Sequence, residues 1–197
     1  DQFVNSYNEA QLRVKISEGS KISVRHIRFT GNSKISTGDL KGAMEETSER
    51  KWWKFWDKAR FNRNDYEKDK EFILNYYKEN GFKDAAIIED KLEYKNNKED
   101  VDILIKVAEG PRYKVGNVVF EGNTVYKDSL LVEKLDMKRG DIFNFMKFNQ
   151  NLRGNESQTD IASLYLDNGY LGFNADVDET VKENNYVDLK INISENR

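Results

Sequence analysis

Apolar and polar residues alternate in several short stretches of this chain. Leu12-Arg13-Val14-Lys15-Ile16-Ser17-Glu18-Gly19 has that pattern. It lines up with Ile103-Leu104-Ile105-Lys106-Val107-Ala108-Glu109-Gly110 and with Leu189-Lys190-Ile191-Asn192-Ile193-Ser194-Glu195-Asn196. A period of two marks a strand with one covered face, so all three are predicted as strands. Ile22 and Val24 share one parity, whereas Ile27 and Phe29 share the other. Tyr113 and Val115, then Val118 and Phe120, repeat the switch, which predicts a bulge at each place. Gly31-Asn32 and Gly122-Asn123 supply turns after these strands.

Helices are expected at residues 39–49, weakened by Gly42, and at 64–80. The second has Asn64 and Glu67 at capping-box spacing, an apolar face of Tyr66, Phe72, Ile73, Tyr76 and Tyr77, and Gly81 as its stop. Residues 86–94 and 101–107 alternate on either side of polar Lys95-Asn96-Asn97-Lys98-Glu99, which predicts an antiparallel hairpin. The later half follows the same course. Its helices are expected near 127–135 and 148–168, the latter starting late because of Gly154. Its strands are expected near 174–181 and 187–193.

Each element therefore occurs twice, and the closing strand three times. Glu18-Gly19, Val24, Phe29, Gly31-Asn32 and Leu40 answer to Glu109-Gly110, Val115, Phe120, Gly122-Asn123 and Leu131. Tyr77, Asn80-Gly81 and Phe82 answer to Tyr165, Asn168-Gly169 and Tyr170. A unit of about ninety residues is domain-sized, far longer than a solenoid turn. The predicted fold class is α+β: two tandem β-α-α-β-β units, each a three-stranded sheet with two helices on one face. The expected boundaries are 20–110 and 111–197, with 1–19 ending on the last strand of a preceding unit of a longer array. Glu109, Gly110, Pro111 and Tyr113 form the joint. Pro111, the sole proline, restricts its own φ and its neighbour, so a stiff connection is expected.

The charge balance, 32 Lys plus Arg against 35 Asp plus Glu, argues against a dedicated nucleic-acid binder. No cysteine is present, so neither disulfides nor thiolate metal sites are expected. No apolar run is long enough for a spanning helix. His26, the single histidine, falls at the predicted bulge and has no counterpart in the second unit, where Asn117 stands; it reads as a surface residue rather than part of a catalytic triad. Pairs such as Glu45-Glu46 and Glu89-Asp90 read as solvated faces. No phosphate loop or calcium loop is found. No enzyme, cofactor or metal is expected. All three tryptophans, Trp52, Trp53 and Trp56, lie together among Lys and Arg in 51–61. Such a cluster either enlarges a small core or anchors a partner; stacking on bases or lipid needs a more basic setting.

The ordered set Glu-Gly-x-x-x-x-Val, Phe-x-Gly-Asn, Tyr-x-x-Asn-Gly-Phe/Tyr and a closing Val-Asp strand, found twice, resembles polypeptide-transport-associated (POTRA) domains. The tandem is similar to periplasmic arrays of the outer-membrane barrel-assembly proteins of Gram-negative bacteria, and the place of Trp52-Trp53 matches the third of five such domains, so the units correspond to the third and fourth. The resemblance implies mixed sheets whose middle strand in chain order lies at an edge. It also implies a non-enzymatic periplasmic scaffold at the outer membrane. The implied partners are unfolded outer-membrane polypeptides, accessory lipoproteins, neighbouring POTRA domains and a membrane barrel. Strand addition is expected on Ile87, Ile88, Glu89, Asp90, Lys91 and Leu92, with Trp52, Trp53 and Trp56 as further partner contacts. A related secretion transporter, or a module binding single-stranded nucleic acid, is the alternative.

Overall fold

A computed structural model describes residues 2–4, 10–12, 22–50 and 60–196. Two short strands come first, β1 (Gln2–Val4) and β2 (Ala10–Leu12), paired antiparallel. Residues 13–21, which hold the rest of the first expected strand, lie outside the described residues.

The first unit comprises β3 (Ser23–Thr30), α1 (Thr37–Ala43), α2 (Arg63–Glu79), β4 (Ala86–Lys95) and β5 (Asp100–Ala108). β5 lies in the middle of the sheet, parallel to β3 and antiparallel to β4. The second unit repeats this with β6 (Lys114–Glu121), α3 (Asp128–Leu135), α4 (Phe145–Arg153), α5 (Ile161–Leu166), β7 (Gly172–Val181) and β8 (Tyr186–Asn196). There β8 is central, parallel to β6 and antiparallel to β7. Both are mixed sheets because the helices carry the chain from one edge strand to the other, and a tight turn then returns it through the middle. Asn97 and Asn184 in those turns adopt left-handed backbone, at φ 56° and 58°, which asparagine tolerates better than most residues.

The parity switches are bulges. Pairing of β3 with β5 slips between Val24 and His26, and pairing of β6 with β8 slips between Val115 and Val118. An aspartate of the central strand holds each slip. Arg25 grips Asp102 through Nε at 2.9 Å and Nη2 at 2.5 Å, while the Asn117 amide donates to Asp188 at 2.7 Å. Hydrogen bonding to Arg25 is the main cause that draws the Asp102 carboxyl below the usual range. His26 sits exposed just past the first slip.

Val24, Ile27, Phe29, Leu40, Ile73, Tyr77, Phe82, Val101, Ile103 and Ile105 build one core. Val115, Phe120, Leu131, Phe143, Phe148, Leu152, Tyr165, Leu189 and Ile191 build the other. The expected face of α2 is buried at Tyr66, Ile73 and Tyr77, whereas Phe72 and Tyr76 are only half-buried. Asp69 is also fully buried and accepts the Glu46 amide at 3.0 Å, a contact made by the loop after α1 and invisible in the helix pattern.

Three helix boundaries differ from the sequence reading. The first helix stops at Ala43, short of residue 49, because Met44 turns extended and buries its side chain, and Arg50 then bonds to β3. The second is capped by Asn62, whose side chain accepts the Asn64 amide at 2.9 Å, so Asn64 is not the cap. In the second unit the helix begins early, at Phe145, and is split rather than delayed. Gly154, at φ 150°, ends α4, and α5 restarts under Asp160. Buried Asp160 accepts the Ser163 amide at 2.9 Å and the Asn155 amide at 3.1 Å, tying both sides of the break.

Candidate functional site

Four sheet edges are available in the two units, and they are treated differently. The outer edge of β3 is occupied. Arg50 donates to the Val24 carbonyl at 2.9 Å, Phe61 to the Ile22 carbonyl at 2.8 Å, and the Ile27 amide is taken by the Glu49 carboxylate at 2.6 Å. The start of β6 is covered likewise: Val115 donates to Asp141 at 2.9 Å, and Phe143 donates to Tyr113 at 3.0 Å. Among the described residues, no hydrogen bond reaches the backbone of β4 from outside its own sheet. Unpaired strand N–H and C=O groups are a template for another chain.

The residues expected to accept a strand all lie on this open edge. Ile87 and Leu92 lean onto the core, while Ile88, Glu89, Asp90 and Lys91 are exposed. Ile88 stands outside the β4–β5 register, which slips between Ile87 and Glu89, and 55% of its surface is exposed. Glu89 pairs with Lys91 at 2.7 Å and Glu93 with Lys95 at 3.4 Å. Asp90 turns toward α2, where Lys70 lies 3.4 Å away. A bulge and flanking charges restrain uncontrolled pairing but leave the backbone available. Trp52, Trp53 and Trp56 lie outside the described residues.

The expected joint residues serve two tasks. Glu109 closes the first unit on itself: its carboxylate accepts the Ser33 amide at 2.8 Å, the Lys34 amide at 2.8 Å, the Ile35 amide at 3.0 Å and the Tyr77 hydroxyl at 3.2 Å. Glu195 repeats this with the amides of Thr124 at 2.9 Å and Val125 at 3.1 Å and the Tyr165 hydroxyl at 2.8 Å. Burial works to raise both carboxyls, but the converging N–H and O–H donors hold them below the usual glutamate range. Burial and the facing carboxylate together push the Tyr77 and Tyr165 phenols up. Each clamp joins a glutamate at the end of the closing strand, Glu109 or Glu195, to the amides that follow a Gly-Asn turn, Gly31-Asn32 or Gly122-Asn123, a role that reading Glu109 as joint and Gly-Asn as turn did not reveal.

Beyond the clamp, Gly110 at φ 69° turns the chain toward the second unit. Arg112 donates through Nε to the Asn80 carbonyl at 2.9 Å and lies over the Phe82 ring, 5.6 Å from its centre. Tyr113 donates its amide to Gly81 at 2.8 Å and its hydroxyl to Asp84 at 2.6 Å. That bond to Asp84, with burial, pushes the phenol up to about 12. Lys83 crosses to Glu179 on β7 and lies 5.5 Å from the Tyr113 ring centre. Asp84, Lys83 and Glu179 carried no signal in the sequence, since their partners are far away along the chain.

The POTRA family model, described as "Surface antigen variable number repeat", matches residues 22–110 and 113–196. The chain belongs to the POTRA family and comprises two such domains in tandem. It is 30% identical over 134 residues to the outer membrane protein assembly factor BamA of Neisseria meningitidis serogroup B, covering 68% of this chain and 17% of that protein. It is 24% identical over 137 residues to BamA of Buchnera aphidicola, covering 70% of this chain and 22% of that protein. The chain thus spans about a fifth of the length of these relatives. In fold it is similar to the crystal structure of Haemophilus influenzae BamA POTRA3-5, with a TM-score of 0.63 at 22% identity, covering 90% of this chain and 67% of that one. Among the described residues, no helix is long and apolar enough to cross a membrane.

Proposed function

We propose that this pair of domains is a periplasmic scaffold, without catalysis of its own, that captures unfolded outer-membrane polypeptides by adding one of their segments to β4. The open β4 edge beside a covered β3 edge carries this reading. Backbone pairing supplies affinity without demanding a sequence, which suits a scaffold serving many clients. Accessory lipoproteins and neighbouring POTRA domains are the other partners of the scaffold, in keeping with the assembly role of the related proteins. Glu109, Gly110, Pro111 and Tyr113 form the joint, across which Tyr113, Arg112 and Lys83 hold the second domain against the first.

Proline at Ile88 tests the mechanism. Ile88 stands outside the register with β5, so proline there breaks no Cα pair of the sheet, and at Ile88 or Glu89 it withdraws an edge donor wherever that N–H faces outward. Ile88→Pro, with Glu89→Pro as a second position, should weaken capture of an unfolded outer-membrane peptide several-fold while the melting temperature holds. Unchanged capture by variants that remain folded would rule out edge pairing on β4.

A further inference from the structure

The ion pair between Lys83 and Glu179 does more than fasten two domains. Lys83 lies three residues before β4 begins, and Glu179 lies two residues before β7 ends. The contact therefore brings the closing end of one open edge to the opening end of the other. β7 runs toward the joint, from Gly172 to Val181, and β4 runs away from it, from Ala86 to Lys95. The two edges follow one another with the same chain direction.

β7 is as open as β4: past its entry turn, no backbone bond from outside its sheet reaches it among the described residues. Apolar side chains stand exposed along this route, with Val181 at 52%, Ile88 at 55% and Tyr94 at 41%. The joint between the edges is held by several bonds, including Tyr113 to Asp84 and Arg112 to Asn80. Glu109 anchors the connecting chain to the first domain.

We infer that β7 and β4 form one two-part edge that takes a single extended polypeptide segment, antiparallel to both strands. This rests on the edge-capture reading above and adds a second domain, a length and a polarity to it. The N-terminal half of the segment pairs with β4 and its C-terminal half with β7. Antiparallel pairing is chosen because it is slightly more stable per residue than parallel pairing. Each strand has ten residues, so a segment of about 25 residues covers both with a short crossing at about 3.3 Å per residue. Once one half is held, the second pairing becomes intramolecular and benefits from a high effective concentration. The domains thus select for length where either edge alone is indifferent to sequence.

Two synthetic peptides of alternating apolar and polar residues, about 11 and about 26 residues long, test this by fluorescence anisotropy against the 197-residue chain. The long peptide should bind at least ~10-fold tighter than the short one. Lys83→Ala with Tyr113→Phe should remove most of that gain and leave short-peptide affinity unchanged. A photo-crosslinker at the N-terminus of the long peptide should label β4, and one at its C-terminus β7. Equal affinities for the two peptides, or the reverse labelling, would overturn the two-part edge while single-edge capture stands. Failure of both peptides to bind would overturn edge capture itself.

Discussion

Tyr165 donates its hydroxyl to the Glu195 carboxylate at 2.8 Å, closing the second domain as Tyr77 and Glu109 close the first at 3.2 Å. In each domain the last residues of the central strand are thereby tied both to the loop after the first strand and to a helix end. The clamp joins sheet, loop and helix layer at one carboxylate, so its loss should be felt across the whole domain.

Glu109→Ala leaves the amides of Ser33, Lys34 and Ile35 and the Tyr77 hydroxyl without their acceptor. Hydrogen bonds to a charged group contribute about 1.5–3 kcal/mol, so a loss of roughly 2–3 kcal/mol is expected in urea unfolding. Glu109→Gln, which keeps an acceptor oxygen, should lose less. A change below about 0.5 kcal/mol, the level of an ordinary surface substitution, would deny the clamp its role.

Acid should release both clamps. Glu109 and Glu195 titrate below the usual glutamate range in the folded chain. Their stabilisation is therefore complete above the unfolded value of about 4.3 and is lost as pH falls through the depressed native values. Urea midpoints of the native chain and of Glu109→Gln/Glu195→Gln should converge toward pH 3, after differing most near neutrality. A gap independent of pH would show that the carboxylates do not act through their charge.

The joint should be stiff and should loosen when its side-chain bonds are cut. Asp84→Ala with Lys83→Ala removes the partners of Tyr113 and Glu179. Distances between spin labels on the two domains should then broaden, while each domain stays folded. Because the Tyr113 phenol is raised to about 12, its hydroxyl should keep its proton, and its bond to Asp84, from neutral pH up to about 10. A native distribution already as wide as that of the variant would contradict a fixed joint.

Gly122→Ala should destabilise the second domain by about 3 kcal/mol or more, as strain at a special backbone position does. Gly122 has φ 84°, and a Cβ there would meet the Ile193 carbonyl oxygen at 2.2 Å. Gly31, at φ 85° beside the Val107 carbonyl, should respond alike in the first domain. Chemical denaturation of the two variants checks both; a mild loss would mean that the backbone can retreat.

By itself the sequence determined the repeated unit, its order of strands, the bulges of β3 and β6 and the hairpins. These depend on local periods and turn residues, and the shift of parity from Val24 to Ile27 is readable wherever one face of a strand must be buried. Family resemblance placed 86–94 at a sheet edge, where β4 lies. Helix ends were less legible: Met44 is pulled out of the first helix by burial, and Asp160 restarts a helix that Gly154 breaks. Only the tertiary structure decided the sites. Glu109 meets Ser33, and Lys83 meets Glu179, across long stretches of chain. Which edge of each sheet stays open depends on where Arg50, Phe61, Asp141 and Phe143 return to cover the other. Pairing between residues far apart follows from how packed layers bring them together, and periodicity along the chain carries no record of it.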